Sequence, residues 1–251
     1  PPGPEPRPTR ETIDAWRRRA RELIKEMGAE RLPPEIADTA AALRRVEGLV
    51  LAFLADEAET ATAFKPAHTE AAFGFEESEK GPLQLAGGGV HGQIDRIDLG
   101  PNGEALVQDY KSGGKVDGGA GMLEKRGKLQ LQLYMLAARE LWGHDLAGGL
   151  YRPLGGTGDR TPKGLLRKAL EEELSGLDPR PKDHLDDEAF EEALSAARTR
   201  AEEIIASVHA GEVRRDPIGG SCPDWCSFQP ICRRERGIPD EEPWSDEEGE
   251  E

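Results

Sequence analysis

Apolar residues recur at helical spacing in residues 11–28 (ETIDAWRRRARELIKEMG) and again in 34–57 (PEIADTAAALRRVEGLVLAFLADE), and both runs are predicted helices. A Pro-rich stretch of ten residues leads into them. From Pro66 the period shortens to two. HTEAAFGFEE, LQLAGGGVHGQIDRIDLG and EALVQDYKSG alternate apolar and polar positions between Gly, Pro and Asn turns, which predicts successive strands. A long helix is predicted over about 124–142 and a short apolar strand over 147–153. Residues 155–183 read as loop with one helical piece, KGLLRKALEEEL, and 186–211 read as a further helix. The order helix, three strands, helix, strand predicts an antiparallel meander joined to a parallel strand by a right-handed crossover.

PNG at 101–103 is a turn signal between the last two meander strands, and a one-residue slip of their register is the alternative, which would throw the apolar set onto the wrong face. Centred on Asn102, the hairpin sets Ile97 opposite Val107, Leu99 opposite Ala105 and Asp95 opposite Asp109. Lys111 follows on the face of Asp109. One end of this face is therefore greasy and the other charged. Two carboxylates directly across a ladder repel unless a cation lies between them. Lys111 supplies one positive charge, and hard oxygen ligands at the mouth of a rigid sheet suit Mg²⁺ or Mn²⁺. An ordinary Asp–Lys surface pair is the plain alternative.

Composition bounds the rest. A chain of 251 residues with 36% hydrophobic content can fill a core. No run approaches the roughly 20 apolar residues of a membrane span, and the N-terminus lacks the apolar stretch of a signal peptide, so the expected setting is cytoplasmic, without membrane. The first residue is Pro, which suggests a fragment of a longer polypeptide. No phosphate-cradling Gly-rich loop with Lys and Ser or Thr occurs, so ATP hydrolysis is excluded for this chain. The net charge is −16, which argues against a polyanionic partner, yet half of it lies in the last twelve residues, DEEPWSDEEGEE, a predicted disordered tail. Cys222, Cys226 and Cys232 fall within eleven residues, an odd, clustered set that makes a poor disulfide framework and a fair metal site.

GQIDRID at 92–98, the D-Y-K of VQDYKSG, QLQLY at 130–134 and CPDWCSFQPICRRE at 222–235, in this order, resemble the PD-(D/E)XK nuclease superfamily, and most nearly its RecB/AddB branch of helicase-associated nucleases. The resemblance implies an α/β, restriction-endonuclease-like core: a mixed sheet, antiparallel meander plus parallel strand, flanked by helices and closed by a Cys-rich segment. The implied division is a Pro-rich and helical lead-in at 1–64, a nuclease core with a helical insertion at 65–220, an iron–sulfur-type segment at 221–236 and an acidic tail at 237–251. Carried over, Asp95, Asp109 and the carbonyl of Tyr110 hold Mg²⁺ or Mn²⁺, and Lys111 orients or deprotonates the attacking water. Glu70 matches an acid on the preceding strand. Gln130 and Tyr134, four apart on one helix face, would contact the DNA backbone or brace Lys111. Cys222, Cys226 and Cys232 would ligate a [4Fe-4S] cluster whose fourth Cys lies outside this chain; a zinc site or a metal-free segment are the alternatives. Arg96, on the opposite strand face, is expected to pair with Asp98 or another acid, and His91 to lie in a loop.

The implied function is a metal-dependent DNA nuclease, an exonuclease on single-stranded ends. It would form the C-terminal domain of a bacterial helicase–nuclease in double-strand break repair, with the motor in the same polypeptide or a partner subunit. The competing readings are a stand-alone nuclease of the CRISPR-adaptation type and a catalytically inactive scaffold that binds DNA.

Overall fold

A computed structural model describes residues 6–31, 38–113, 116–155, 160–212 and 226. Two helices come first, α1 (Ile13–Arg31) and α2 (Thr39–Glu59). They pack as a pair, and Gly28 is what lets them close: a Cβ there would meet a Leu43 methyl at 2.6 Å. Strands follow: β1 (Lys65–Phe73), β2 (Leu83–Leu85), β3 (Gly88–Val90), β4 (Gly92–Leu99) and β5 (Ala105–Lys111). After them come α3 (Ala120–Lys125), α4 (Gln130–Trp142), β6 (Leu146–Pro153), β7 (Lys163–Arg167), α5 (Glu171–Leu174), β8 (His184–Leu185) and α6 (Asp187–His209). The main sheet runs β1-β4-β5-β6-β7-β8, antiparallel through β1, β4 and β5 and parallel between β5 and β6. It is the mixed sheet, flanked by helices, that the sequence pattern predicts. Among the described residues no helix is long and apolar enough to cross a membrane.

The β4–β5 hairpin has the predicted register, with Ile97 opposite Val107 and Leu99 opposite Ala105. Its turn closes through Gly100 N to Glu104 O at 2.8 Å and Gly103 N to Gly100 O at 3.0 Å, and Gly103 takes the positive φ of 91° that such a turn needs. Three expectations are corrected. The run 83–100 is not one strand: β2 and β3 form a separate two-stranded hairpin ahead of β4. The helix predicted over 124–142 is broken between α3 and α4, where Gly127 adopts φ 59°. KGLLR, read as the start of a helix, is strand β7, because Gly164, Leu165 and Leu166 are buried against β6.

Each face of the sheet covers its own core. On one side Ile97, Val107 and Leu165 pack with Leu131 and Met135 of α4 and with Phe190 and Leu194 of α6. On the other, Leu106, Leu150 and Leu166 pack with Phe64, Leu174 and Leu177. The approach of α4 to the sheet is close. A Cβ on Gly149 would come within 2.9 Å of Leu131 and 3.0 Å of the Met135 sulfur, while one on its neighbour Gly148 would meet the β7 backbone at Leu165 O, 2.4 Å away. The helix that carries Gln130 and Tyr134 is thereby wedged against β6, beside the end of β5 that carries Asp109 and Lys111.

Candidate active site

The backbone ladder between β4 and β5 extends to the Arg96–Gln108 pair. One step further, Tyr110 N donates to the side chain of Asp95, Oδ2 at 2.6 Å. Asp95 thus fastens the end of the hairpin with its carboxylate. The backbone pairing ends at Arg96 and Gln108, and the Tyr110 amide turns to the Asp95 carboxylate in place of a further backbone partner, so Asp95 and Asp109 stand together at the open end of the hairpin. Asp109 is 3% exposed, and its Oδ2 accepts no well-directed hydrogen bond among the described residues. Burial pushes its pKa up; the neighbouring Lys111 ammonium pulls it down, and the Asp95 charge raises it again. The facing acids therefore lie close enough to feel one another.

Lys111 answers that charge. Its Nζ stands 2.5 Å from Asp109 Oδ2, donates to Gln130 Oε1 at 2.8 Å and lies 5.0 Å from the centre of the Tyr151 ring. Gln130 Nε2 in turn donates to the hydroxyl of Tyr134 at 3.3 Å. The predicted i, i+4 pair is thus joined to the lysine through a single chain of hydrogen bonds. Tyr134 is fixed from behind: its ring is edge-on to Phe73, and a Cβ on Gly92 would collide with both rings. Tyr151, directly across from Asp109 in the parallel ladder, has its phenol pKa raised by burial and by the Asp109 charge, so it stays neutral.

Glu70 is placed differently. It has a positive φ of 51°, an uncommon conformation for a residue with a Cβ, and its carboxylate is exposed and accepts from Gln93 Nε2 at 2.6 Å. Among the described residues no three or more His, Cys, Asp or Glu side chains converge as a metal site, so Glu70 is not gathered with Asp95 and Asp109. The set that remains, two carboxylates with a buried oxygen lacking a directed partner and the nearby Tyr110 backbone, is all hard oxygen. It fits Mg²⁺ or Mn²⁺ and no soft metal. Cys226 is half-buried and carries no disulfide; Cys222, Cys232 and the acidic tail lie outside the described residues. His91 is exposed in the link between β3 and β4, as expected.

Sequence reasoning missed what lies behind the site. On the opposite face of the sheet, Glu57 of α2 is 1% exposed and accepts from Arg96 at 2.8 Å and from Arg152 at 2.9 Å. Arg96 also grips Asp98 with both ends of its fork, and Gln108 bridges Asp98 and Arg152 at 2.8 Å each. Burial works against the Arg96 charge, but its bonds to Asp98 and the negative charges around it outweigh that and hold it protonated. Arg96 reaches the Tyr110 hydroxyl at 3.3 Å, and Phe53 of α2 meets the Tyr110 ring edge-on. Tyr110, flanked in sequence by Asp109 and Lys111, is therefore clamped from behind. The pairing of Arg96 with Asp98 was legible in the alternation D-R-I-D; the part of Glu57 was not.

A cleft of about 510 Å³ opens on Lys111 and Gln130, lined also by Lys128, Asp117 and Tyr151. Lys125, Arg126 and Lys128 are exposed and make no ion pair among the described residues, whereas Arg139, Arg160, Arg167, Arg180 and Arg198 are all paired. From Lys111 to Lys128 the chain carries five bases and two acids, a local positive balance in a strongly acidic protein. Unpaired cations beside such a cleft favour an anionic ligand.

No curated protein matches the chain in sequence. A family model described as the PD-(D/E)XK nuclease superfamily matches residues 3–233. Its span takes in the facing carboxylates, the adjoining lysine and the glutamine and tyrosine that hold it, and the chain belongs to that superfamily.

Proposed function

We propose that the protein is a metal-dependent deoxyribonuclease that cleaves single-stranded DNA from an end, as the nuclease domain of a helicase–nuclease. The observation that carries the hydrolytic reading is the position of Lys111 Nζ, held between Asp109 Oδ2 at 2.5 Å and Gln130 Oε1 at 2.8 Å with Asp95 across the hairpin. An ammonium confined in this way orients a water molecule by donating to its oxygen and offsets the charge of a phosphodiester as it grows. Asp95, Asp109 and the Tyr110 carbonyl would hold Mg²⁺ or Mn²⁺, which supplies a bound water of lowered pKa and neutralises the phosphate. Gln130 and Tyr134 keep the ammonium aimed, and Tyr151 closes one wall against water. Lys125, Arg126 and Lys128 offer contacts to the backbone of the strand. Preference for an end and service to a motor rest on the resemblance of the motif order to the RecB/AddB branch.

Labelled linear and circular single- and double-stranded DNA incubated with Mg²⁺, Mn²⁺ or EDTA tests the reading. Cleavage is expected only with the metals and only on linear single strands; degradation of circles would replace end-dependent cleavage with internal cleavage. Asp95→Ala and Lys111→Ala are expected to abolish turnover while the fold, read by circular dichroism, persists. Metal-dependent cleavage by either variant at the parent rate sinks the assignment.

A further inference from the structure

The Lys111 ammonium carries three N–H donors, and two acceptors flank it: Asp109 Oδ2 at 2.5 Å and Gln130 Oε1 at 2.8 Å. Another side of the ammonium rests over the ring of Tyr151, 5.0 Å from its centre and within the range of a cation–ring attraction. Two features put the ring there. In the parallel ladder Tyr151 pairs with Asp109, so β6 brings it beside the acid that Lys111 neutralises. Two residues earlier in the strand, Gly149 lets α4 close on the sheet, and Tyr151 packs into the core beneath that helix. It lies close enough to the first turn of α4 for the Leu131 amide to act on its hydroxyl. The side chain is 4% exposed, so packing fixes the plane of the ring. The ammonium, by contrast, is about a third exposed and opens on the cleft.

We propose that Tyr151 is a positioning residue for Lys111, holding the ammonium by the negative face of its ring rather than through its hydroxyl. The inference rests on the nuclease reading and adds a residue to it. A ring face attracts a cation but offers no lone pair in the manner of an oxygen acceptor. It therefore steadies the ammonium while the third N–H stays available to a water molecule or a phosphate oxygen in the cleft. A second carboxylate in that place would bind this donor and cancel the positive charge that the growing charge on phosphate requires. The ring also keeps water from one side of the ammonium, which strengthens every electrostatic contact it makes. The plain alternative is a core residue that only fills the space between α4 and the sheet.

Steady-state digestion of end-labelled single-stranded DNA by the full chain with Mg²⁺ tests this. Tyr151→Leu is expected to lower kcat about ten-fold with KM little changed, the size of a partly desolvated cation–ring contact. Tyr151→Phe, which keeps the face, should restore most of that loss. Phenylalanines bearing one, two or three ring fluorines at position 151 scarcely change the shape of the side chain but drain its negative face, so log kcat should fall by a similar step with each fluorine. They also guard against misfolding of the leucine variant. A flat response across the fluorinated series, as a space-filling ring would give, overturns the proposal. So does a Tyr151→Phe variant as slow as Tyr151→Leu, which would assign the role to the hydroxyl. A second readout needs neither metal nor DNA. Ring currents should move the ε-methylene protons of Lys111 upfield in the nuclear magnetic resonance spectrum of the metal-free parent, and Tyr151→Leu should return them to the ordinary lysine position. An ordinary position in the parent overturns the placement of the ring. An upfield position in a parent protein that digests no DNA instead overturns the nuclease reading beneath it.

Discussion

At the scale of single residues the site is a balance of unlike demands on Asp109. Its carboxylate is buried, faces a second acid and is relieved by one ammonium that is itself about a third exposed. Because its pKa is raised on folding, its ionisation opposes the folded state wherever the pH exceeds its ordinary value. Asp109→Asn is accordingly expected to stabilise the metal-free protein at neutral pH by about 1 kcal/mol, read as a rise in Tm of a few degrees. The same substitution should abolish cleavage and any rise in Tm on adding Mg²⁺. Gln130→Ala removes an acceptor from Lys111 without removing the base; a fall in kcat of about ten-fold with KM little changed is the expected signature. Alternation by two placed Asp109 and Lys111 on one face of a strand in the sequence itself, whereas Gln130 was singled out only by the resemblance to the superfamily's motif. Glu70 was legible only as a type of residue, since its left-handed backbone could not be read from the alternation around it.

At the scale of elements, Glu57 of α2 ties together β4 and β6, the strands on either side of the one that carries Asp109 and Lys111. Both guanidiniums that Glu57 serves, those of Arg96 and Arg152, are buried, so Glu57→Ala leaves two positive charges without their shared partner. A loss of about 3–5 kcal/mol in urea denaturation is expected. Burial alone would raise the Glu57 pKa, but the two arginines pull it below its ordinary value. Its contribution is therefore complete above the unfolded value of about 4.5 and is lost as the pH falls through the folded one, so the parent protein should lose more stability under acid than the variant does. None of this could be read from the sequence, because Glu57 and Arg96 are 39 residues apart and only tertiary packing joins them. Strand β7 was hidden for a related reason. KGLLRKALEEEL is rich in helix formers, and only pairing with β6 makes its first half extended. The break before α4 was visible in Arg126-Gly127-Lys128, yet the amphipathic pattern on either side masked it.

At the scale of the whole molecule, an acidic protein must bind a polyanion through a small region of opposite sign. Lys125, Arg126 and Lys128 form the unpaired part of that region among the described residues, and each replaced by Ala should flatten the dependence of log binding constant on log salt by about 0.7, the value for one phosphate contact to a single strand. Removal of residues 240–251 discards half the net negative charge. Association with DNA should then quicken at low ionic strength and match the parent at high salt, where the field is screened. The mixed sheet itself was legible because two strands joined by a helix must run parallel while the turn-linked strands before them need not.

The bond from Tyr110 N to Asp95 makes that aspartate a stitch in the backbone as well as a charge. Alanine at position 95 removes both at once, so its inactivity cannot separate an unfastened hairpin from a missing anion. Asparagine keeps an acceptor for the amide and discards only the charge. Hydrogen–deuterium exchange at the Tyr110 amide should be slow in the parent and in Asp95→Asn and fast in Asp95→Ala, which makes the asparagine variant the proper inert enzyme for trapping substrate on an undisturbed framework.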